Sequence, residues 1–515
     1  MNDMPQALAR PAVSFEGRAY ELAPGETALS ALLRGGADAP HSCRRGACRC
    51  CMLEAESGDP GPGARRGLTE QMIDRGAFLP CLCTEPVALT ARRPDMTRYL
   101  TRAMLAERIA LPGDAYLLRL ETETVIDWRA GQAIAIRGPG GDLRSYSLLS
   151  RPEDYFVELI VRRYPGGAVS PWLCEALPEG DTLEFTGPHG AFFHGEVAPG
   201  APLLIVGAGT GAGAAFGIAR DALGRGHAGP VTLALGARTE AAQLLTDETD
   251  ALAADHPNLS VLRAASREGD RRRITAAAFD GADLAGAEVY LCGPPDMVEA
   301  GRIAALRQGA ALAAIHADPF LAPEPYTPRD AEKIASVPAD PELWAALDEG
   351  PGLAAILDAF YTRALADPRL APFFHKITKQ RLVEKQHAFL RDLMTGRSDF
   401  FGERPFNAHH WMIISDENFD HREALFFEVV RAHGLPAPLV ARWQALHELF
   451  RREIVKDAPR GQWLDGREVD RGGHAEEVAP IDMVCDGCGE EVLTGEKVRT
   501  HLRTGELWCA HCAGL

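Results

Sequence analysis

The stretch His41-Ser-Cys-Arg-Arg-Gly-Ala-Cys-Arg-Cys-Cys51 decides the first part of the fold, because it places several cysteines in one short loop. The spacing is Cys43-x4-Cys48-x2-Cys51, and a fourth cysteine, Cys81, follows thirty residues after Cys51. Short spacings let one loop wrap around a cluster, while a distant thiolate closes the cage from a separate loop. The pattern therefore predicts that these four thiolates hold a [2Fe–2S] cluster.

The residues around this loop resemble a plant-type ferredoxin domain, which we assign to residues 1–96. The segment 12–33, AVSFEGRAYELAPGETALSALL, is typical of two short strands and a helix. The resemblance implies a β-grasp fold. It departs from the family at Arg49, where a glycine is usual. Cys50 and Cys83 are alternative ligands, and we favour Cys51 and Cys81 because only those keep the family spacing.

The whole chain is too long for one hydrophobic core. At 515 residues it predicts about three to five domains. Twelve cysteines favour metal or redox sites over disulfides in a reducing compartment. The net charge of -18 argues against a nucleic-acid partner. The chain has no long apolar run and no signal-peptide pattern at its start, so we expect no membrane span and a cytoplasmic location.

Residues 97–199 alternate short β-rich segments with Gly and Pro turns, which predicts a small antiparallel β-barrel. Two motifs, Arg144-Ser-Tyr-Ser-Leu-Leu-Ser150 and Gly167-x-x-Ser170, resemble those of the ferredoxin-reductase family. The resemblance implies FAD, with the tyrosine on the flavin ring, Ser147 near its reactive nitrogen and the arginine on the pyrophosphate. The implied FAD-binding residues are Arg144, Tyr146, Ser147, Ser150, Gly167 and Ser170.

Residues 200–316 predict an α/β nicotinamide-binding domain. The segment 202–220, PLLIVGAGTGAGAAFGIAR, is an apolar strand that runs through glycines into a helix, where a dinucleotide phosphate can approach the helix N-terminus. The segment 287–298, AEVYLCGPPDMV, matches the reductase family's C-terminal signature, which implies that Cys292 lies where nicotinamide meets flavin. We expect NADH, although Arg238 leaves NADPH open. The predicted nucleotide-binding residues are Gly207, Gly209, Gly211, Gly293 and Pro294.

A Pro-rich linker at residues 317–340 precedes a helical region, 341–456, with no strand pattern until about residue 480. An F-Y pair, the corner DPRLAPFF, an L-x3-Q helix and a histidine before Ile414-Ser-Asp resemble truncated haemoglobins. The resemblance implies an all-α globin with haem b on a proximal histidine and dioxygen near distal donors. A register slip of one would exchange His409 with His410, whereas His375 and His387 are expected on the surface. The implied haem-site residues are His409, Tyr361, Phe374, Leu382 and Gln386.

Cysteines return after a second linker, 457–478. Two C-x2-C turns, Cys485 with Cys488 and Cys509 with Cys512, lie in residues 479–515. Four thiolates on two turns suit a tetrahedral zinc ion in a small ribbon, and iron in a rubredoxin-like site is the alternative. All four ligands come from the protein, so we expect a structural site.

Ferredoxin, flavin, nicotinamide and haem modules in one chain make an electron relay, a combination that resembles flavohaemoglobins. The leading hypothesis is an NAD(P)H-dependent nitric oxide dioxygenase acting on O2 and NO, with Tyr361, Gln386 and Cys292 as its catalytic residues. The first alternative is a reductase for a separate oxygenase partner, with a sensing globin. The second is an O2- or NO-sensing and docking module.

Overall fold

The structure is a computed structural model that describes most residues of the chain. The described ranges are 11–23, 25–41, 44, 46, 49–68, 70–269, 271–320, 326–374, 377–400, 402–456, 460–464, 466–469, 474–479, 482–501 and 507–513. The chain divides into two compact units. The first comprises Met1–Ala23, Thr27–Pro325 and Pro436–Leu449, and the second comprises Pro24–Glu26, Tyr326–Leu435 and Phe450–Leu515. Within the described ranges, no helix has the length and apolarity needed to cross a bilayer.

The first domain of the first unit is a β-grasp fold, as predicted. Its strands and helices are β1 Ala12–Phe15, β2 Arg18–Glu21, α1 Ala28–Arg34, β3 Leu53–Asp59, α2 Glu70–Asp74, β4 Ala77–Phe78 and β5 Val87–Arg92. The sheet order is β2-β1-β5-β3-β4, with β1 and β5 parallel. Alternate residues of β1, Val13 and Phe15, are buried beneath α1, whose first turn is capped by the Thr27 hydroxyl.

An antiparallel barrel follows. Its six strands are β6 Thr101–Leu111, β7 Ala115–Thr122, β8 Ala133–Arg137, β9 Leu143–Ser147, β10 Val157–Arg162 and β11 Thr182–His189. Their order is β10-β7-β6-β11-β8-β9, and a bridge between Leu148 and Leu159 joins the two ends. The bridge brings the chain just after β9, where the first flavin motif ends, next to β10, which precedes the second motif.

The third domain is a parallel sheet with helices. Its elements are β12 Leu203–Ala208, α3 Gly211–Gly224, β13 Val231–Ala237, α4 Thr246–Asp255, β14 Leu259–Ala265, α5 Ile274–Phe279, β15 Glu288–Gly293, α6 Pro295–Arg307 and β16 Ile315–Pro319. All five strands are parallel, and their order in the sheet is β14-β13-β12-β15-β16. The chain adds strands on one side of β12 as far as β14 and then returns to add β15 and β16 on the other side, so the strand order reverses between β12 and β15. Ligands of open α/β sheets bind at the carboxyl ends of the strands beside such a reversal.

The remaining helices lie beyond the parallel sheet in sequence. They are α7 Asp330–Ser336, α8 Pro341–Ala346, α9 Pro351–Ala366, α10 Lys379–Thr395, α11 Pro405–Ala408, α12 Asp416–Ala432, α13 Ala437–Glu448 and α14 Arg451–Ile454. In the second unit α9 packs against α10 and α12, with the rings of Phe360 and Phe426 5.0 Å apart. Helix α13 belongs to the first unit, where it packs on α6 and Arg302 pairs with Glu448 at 2.7 Å.

The C-terminal part of the second unit consists of short strands and one helical turn. They are β17 Gln462–Leu464, β18 Arg467–Val469, β19 His474–Val478, β20 Met483–Val484, β21 Glu491–Val492, β22 Lys497–His501, β23 Leu507–Cys509 and α15 Ala510–Ala513. The stretches 317–340 and 457–478, predicted as linkers, thus contain α7 and the strands β17 to β19 respectively. Strands of three to five residues show too little alternation to be recognised from sequence, so the expected absence of strands before residue 480 was wrong.

Candidate functional site

Two of the four cysteines predicted to hold the cluster come together in the β-grasp domain. The Sγ atoms of Cys51 and Cys81 are 3.3 Å apart, and both side chains are buried. This distance exceeds the roughly 2.0 Å of a disulfide and suits two thiolates on one iron. Cys43 and Cys48 lie outside the described residues. The pair that keeps the family spacing is therefore the pair that meets, and its role as cluster ligands stays a prediction.

The alternative ligands, Cys50 and Cys83, have different surroundings. The Cys50 Sγ lies 4.0 Å from the Leu143 carbonyl oxygen and 3.9 Å from the Ser145 Oγ, both on the barrel strand β9. Cys83 is fully buried, and burial, followed by the charge of Asp59, raises the pKa of its thiol to about 12. Cys50 thus faces the barrel, and the thiol of Cys83 is protonated in its buried setting.

The predicted flavin-binding residues lie along β9 and just beyond the ends of β9 and β10. Arg144 is exposed on β9, where it lies within 3.8 Å of Asp142. Tyr146 packs against the barrel core, and burial raises its pKa. The Ser150 hydroxyl accepts a hydrogen bond from the Glu158 N–H at 2.9 Å, which fixes the turn after the motif.

The second flavin motif forms a tight turn after β10. The Ser170 hydroxyl accepts a hydrogen bond from the Tyr164 N–H at 3.1 Å. A Cβ added at Gly167 would lie 3.1 Å from both the Ser170 Oγ and the Tyr164 carbonyl oxygen. A side chain at position 167 would therefore crowd the turn, and glycine keeps its backbone accessible to an anion.

Ser147 of the first motif meets Cys292 of the nucleotide-binding domain through a third residue. The Ser147 hydroxyl donates to the Asp318 Oδ2 at 3.2 Å, and the Cys292 Sγ lies 4.0 Å from the same oxygen. Cys292 is fully buried, and burial, followed by the charge of Asp318, raises its pKa well above the ordinary value. The thiol therefore stays protonated, beside a hydroxyl and a carboxylate, where nicotinamide and flavin are expected to meet.

Asp318 was not predicted from the sequence, although a signal for it existed. It pairs with Cys292 across the parallel strands β15 and β16, near their carboxyl ends. Because the carboxyl ends of parallel strands form the ligand-binding edge, a carboxylate there, next to the cysteine of the signature motif, is a candidate site residue.

The predicted glycines shape the turn between β12 and α3. Gly209 has φ +58, and a Cβ added at Gly211 would lie 2.3 Å from the Cys292 carbonyl oxygen. Gly293, with φ +143, precedes Pro294, the N-cap of α6. The glycines thus let the turn after β12 pack directly against the end of β15. Because they carry no side chains, the backbone of the turn stays open to the phosphates of a dinucleotide.

Arg162, at the end of β10, was also missed. Its Nη2 atom would lie 3.7 Å from a Cβ placed on Gly209, and its buried Nε has no hydrogen-bond partner within the described chain. A guanidinium beside a phosphate-binding turn is suited to pairing with pyrophosphate oxygens. The only signal in the sequence was a basic pair at the end of a barrel strand.

Comparison with known proteins matches this architecture in order. The residues 13–84 match a 2Fe-2S iron-sulfur cluster binding domain, 102–194 an oxidoreductase FAD-binding domain and 205–302 an oxidoreductase NAD-binding domain. The reductase subunit of an aromatic O-demethylase from an Amycolatopsis species is 35% identical over 328 residues, which cover 60% of this chain and 98% of that protein. The chain belongs to this family of NAD(P)H-dependent iron–sulfur flavoprotein reductases.

Two further relatives match about the same share of this chain. The reductase component of a phenol 2-monooxygenase from a Pseudomonas species is 30% identical and covers 57% of this chain and 88% of its own. A solved ferredoxin reductase of carbazole 1,9a-dioxygenase is 26% identical with a TM-score of 0.41, covering 60% of this chain and 98% of its own. The family models and the curated relatives together show a [2Fe–2S] domain, an FAD-binding domain and an NAD-binding domain that pass electrons from NAD(P)H.

The second unit of the reductase brings three of the predicted haem-site residues together. The Tyr361 hydroxyl donates to the Gln386 Oε1 at 3.3 Å, and the rings of Tyr361 and Phe374 are 5.7 Å apart. Burial raises the pKa of Tyr361, so the phenol stays protonated and remains a donor. Leu382 lies half-buried one turn before Gln386 on α10.

His409 follows α11 in the reductase and is half-buried. Its Nδ1 lies 2.8 Å from the Pro405 carbonyl oxygen, and burial lowers its pKa to about 4. The neutral ring therefore donates from Nδ1 and keeps its lone pair on Nε2. Its neighbour His410 holds the same kind of contact, Nδ1 to the Asn407 carbonyl oxygen at 2.6 Å, but is 5% exposed.

The chain that follows α14 binds the segment around His409. Lys456 donates from Nζ to the His409 carbonyl oxygen at 2.6 Å, and its backbone N–H donates to the Ile414 carbonyl oxygen at 2.9 Å. The Asn407 side chain exchanges two hydrogen bonds, of 3.2 and 2.7 Å, with the backbone of Trp463. Hydrogen bonds therefore fix the chain both before His409, at Asn407, and after it, at Ile414.

The four C-terminal cysteines of the reductase form a compact group. The Sγ atoms of Cys485, Cys488, Cys509 and Cys512 all lie within 4.8 Å of one another. A tetrahedral zinc with Zn–S bonds of about 2.3 Å separates its sulfurs by about 3.8 Å. The Cys485 Sγ accepts a hydrogen bond from the Cys509 N–H at 3.3 Å, which stabilises a thiolate. The group is compatible with zinc.

Proposed function

We propose that the reductase passes electrons from NAD(P)H through FAD and [2Fe–2S] to a haem b bound by its own second unit, and that it acts as a nitric oxide dioxygenase. The reaction balances as two NO and two O2 with one NAD(P)H giving two nitrate, NAD(P)+ and one proton. The haem, when bound, would supply the one-electron and dioxygen chemistry.

The observation that carries the proposal is the state of His409. Metal-binding histidines usually donate their second ring N–H to a carbonyl or carboxylate, which fixes the ring and its tautomer. His409 has this arrangement toward Pro405, and its lowered pKa keeps Nε2 unprotonated at neutral pH. A phenol hydroxyl and an amide, on Tyr361 and Gln386, offer hydrogen-bond donors for polarised dioxygen.

The first experiment counts the cofactors of the purified reductase and titrates it anaerobically with NADH while visible spectra are recorded. The proposal expects one haem per chain and its reduction by NADH. Mixing the reduced, aerated protein with NO should then yield two nitrate per NADH consumed. A chain that binds no haem, or one that binds haem and forms no nitrate, contradicts the proposal at a different step.

A second candidate function rests on the relatives, which are reductase components of oxygenase systems. In this version the [2Fe–2S] domain delivers electrons to a separate oxygenase. Rapid mixing distinguishes the two: the internal route requires haem reduction at a rate independent of protein concentration, whereas the external route predicts slow haem reduction and fast reduction of an added partner.

We further propose that the C-terminal cysteines bind structural zinc. Elemental analysis should find one zinc per chain, and Cys485→Ser should lose the metal without changing flavin reduction. Iron with a visible charge-transfer spectrum would instead support the rubredoxin-like alternative.

A further inference from the structure

Cys50 differs from the other cysteines of the β-grasp domain because its side chain leaves that domain and enters the barrel. It is 4% exposed and packs in a small apolar cluster with Ala135 of β8 and Leu143 of β9. Its Sγ is within 4.0 Å of the Leu143 carbonyl oxygen and 3.9 Å of the Ser145 Oγ. The side chain next to the cluster ligand Cys51 is therefore seated on the flavin-binding domain.

The strand that receives Cys50 is also the strand that carries the first flavin motif. Side chains alternate between the two faces of a strand, so Leu143 and Ser145 lie on one face of β9, and Arg144 and Tyr146 on the other. The strand register supports this division, because Ala135, which packs with Cys50, is paired with Ser145. A single backbone strand therefore separates Cys50 from Arg144 and Tyr146, two of the side chains predicted to hold the flavin, and Ser147, a third, follows Ser145 on the face that Cys50 contacts.

We propose that Cys50 is a positioning residue that holds the [2Fe–2S] cluster at a fixed separation from the FAD, so that electrons cross from flavin to cluster through the Cys50–β9 contact. In each transfer the reduced flavin loses one electron and the oxidised cluster gains it, and NAD(P)H supplies the pair of electrons. The family's usual ligand spacing does not require a cysteine here, since Cys51 is the residue that keeps that spacing and meets Cys81.

The test compares Cys50→Ala, Cys50→Ser and Val13→Ala in the full-length protein loaded with FAD and cluster. Val13 is buried in the same β-grasp core, remote in sequence from the cluster loop, so its truncation controls for general loosening of the domain. Anaerobic rapid mixing with NADH gives flavin reduction and cluster reduction as separate phases. Redox titration followed by electron paramagnetic resonance gives the cluster's midpoint potential.

Cys50→Ala is expected to slow cluster reduction about tenfold or more, since small displacements have large effects on reactions that depend on positioning. Cys50→Ser, which nearly keeps the size and polarity of the side chain, should stay near the wild-type rate. Flavin reduction and the midpoint potential should be unchanged in both variants.

Four results would overturn the proposal. Cluster reduction in Cys50→Ala within twofold of wild type would show that the contact does not set the rate, and an equal slowing by Val13→Ala would assign the effect to loosening. A shift of midpoint potential that accounts for the slower phase would assign it to driving force. Loss of the cluster from both Cys50 variants, with flavin retained, would place Cys50 among the ligands instead.

Discussion

Replacing Asp318 should slow the reduction of FAD by NADH, because the carboxylate fixes the Ser147 hydroxyl at 3.2 Å beside the Cys292 thiol. A hydrogen bond to a charged acceptor contributes about 1.5–3 kcal/mol. If that energy is expressed in the transition state, Asp318→Ala slows hydride transfer about 10- to 150-fold. Asp318→Asn keeps a neutral acceptor and should lose about 1–1.5 kcal/mol, which is about five- to tenfold.

The assay is anaerobic stopped-flow bleaching of the flavin at increasing NADH, which separates the limiting rate from the dissociation constant. Ser147→Ala should match Asp318→Ala, and the double variant should be no slower than either, because both remove one shared interaction. Glu121→Gln weakens an exposed hydrogen bond to Tyr155 elsewhere on the barrel and should leave the rate unchanged. Additive effects, or an Asp318→Ala rate within twofold of wild type, would refute the assignment.

The remaining predictions concern the nucleotide turn, the barrel and the second unit. Arg162→Ala should raise the dissociation constant for NADH about tenfold, because it removes a charge-assisted hydrogen bond, and should leave the limiting rate of flavin reduction unchanged. A change in the limiting rate alone would contradict a phosphate contact. His189 has a folded pKa of about 3 against an ordinary 6.5, so the unfolded chain takes up its proton first as pH falls, and stability is lost below about pH 6.5. Between pH 7 and pH 5 the free energy of unfolding should fall by about 2 kcal/mol from this histidine. Urea unfolding followed through flavin fluorescence measures the fall, and His189→Gln should remove this part of it. His409→Ala should abolish haem binding by the pyridine haemochromogen assay, whereas His410→Ala should retain it; the reverse result would shift the ligand by one residue.

The fold of the first unit was largely predictable, because its signals are local and repeated. Glycines between an apolar strand and a helix, as at Gly207 to Gly211, predicted the α/β domain, and short β-rich segments between turns predicted the barrel. Both expectations are confirmed by the strand orders and by the domain matches. The resemblance of the N-terminal residues to plant-type ferredoxins likewise implied a β-grasp domain, and the match to a 2Fe-2S cluster binding domain confirms it.

Residues that act through tertiary contacts escaped prediction. Asp318 and Arg162 lie at the ends of strands whose neighbours in the sheet are distant in sequence, so only the pairing of β15 with β16 and the approach of β10 to the glycine turn reveal them. The strands of 462–469 also escaped, because three residues give too little alternation to recognise. The contact of Trp463 with Asn407 depends on the course of the chain after α14 and on no local motif.

Strand β9 carries both of the contacts to which we assign the electron-transfer steps. Near its carboxyl end, Ser147 joins the nicotinamide side through Asp318 and Cys292. Toward its amino end, at Leu143 and Ser145, which by strand alternation lie on the same face as Ser147, it receives Cys50 from the cluster loop. We predict that a flavin bound along this strand receives hydride near the Ser147 end and releases electrons near the Cys50 end toward the cluster. The two sets of variants should then act on separate rate constants: changes at Asp318 should lower the rate constant of hydride transfer and delay the cluster only through that earlier step, and changes at Cys50 should lower the rate constant of flavin-to-cluster transfer and leave flavin reduction unchanged. A Cys50 variant that slows flavin reduction, or an Asp318 variant that lowers the rate constant of flavin-to-cluster transfer, would show that the two steps are coupled through β9.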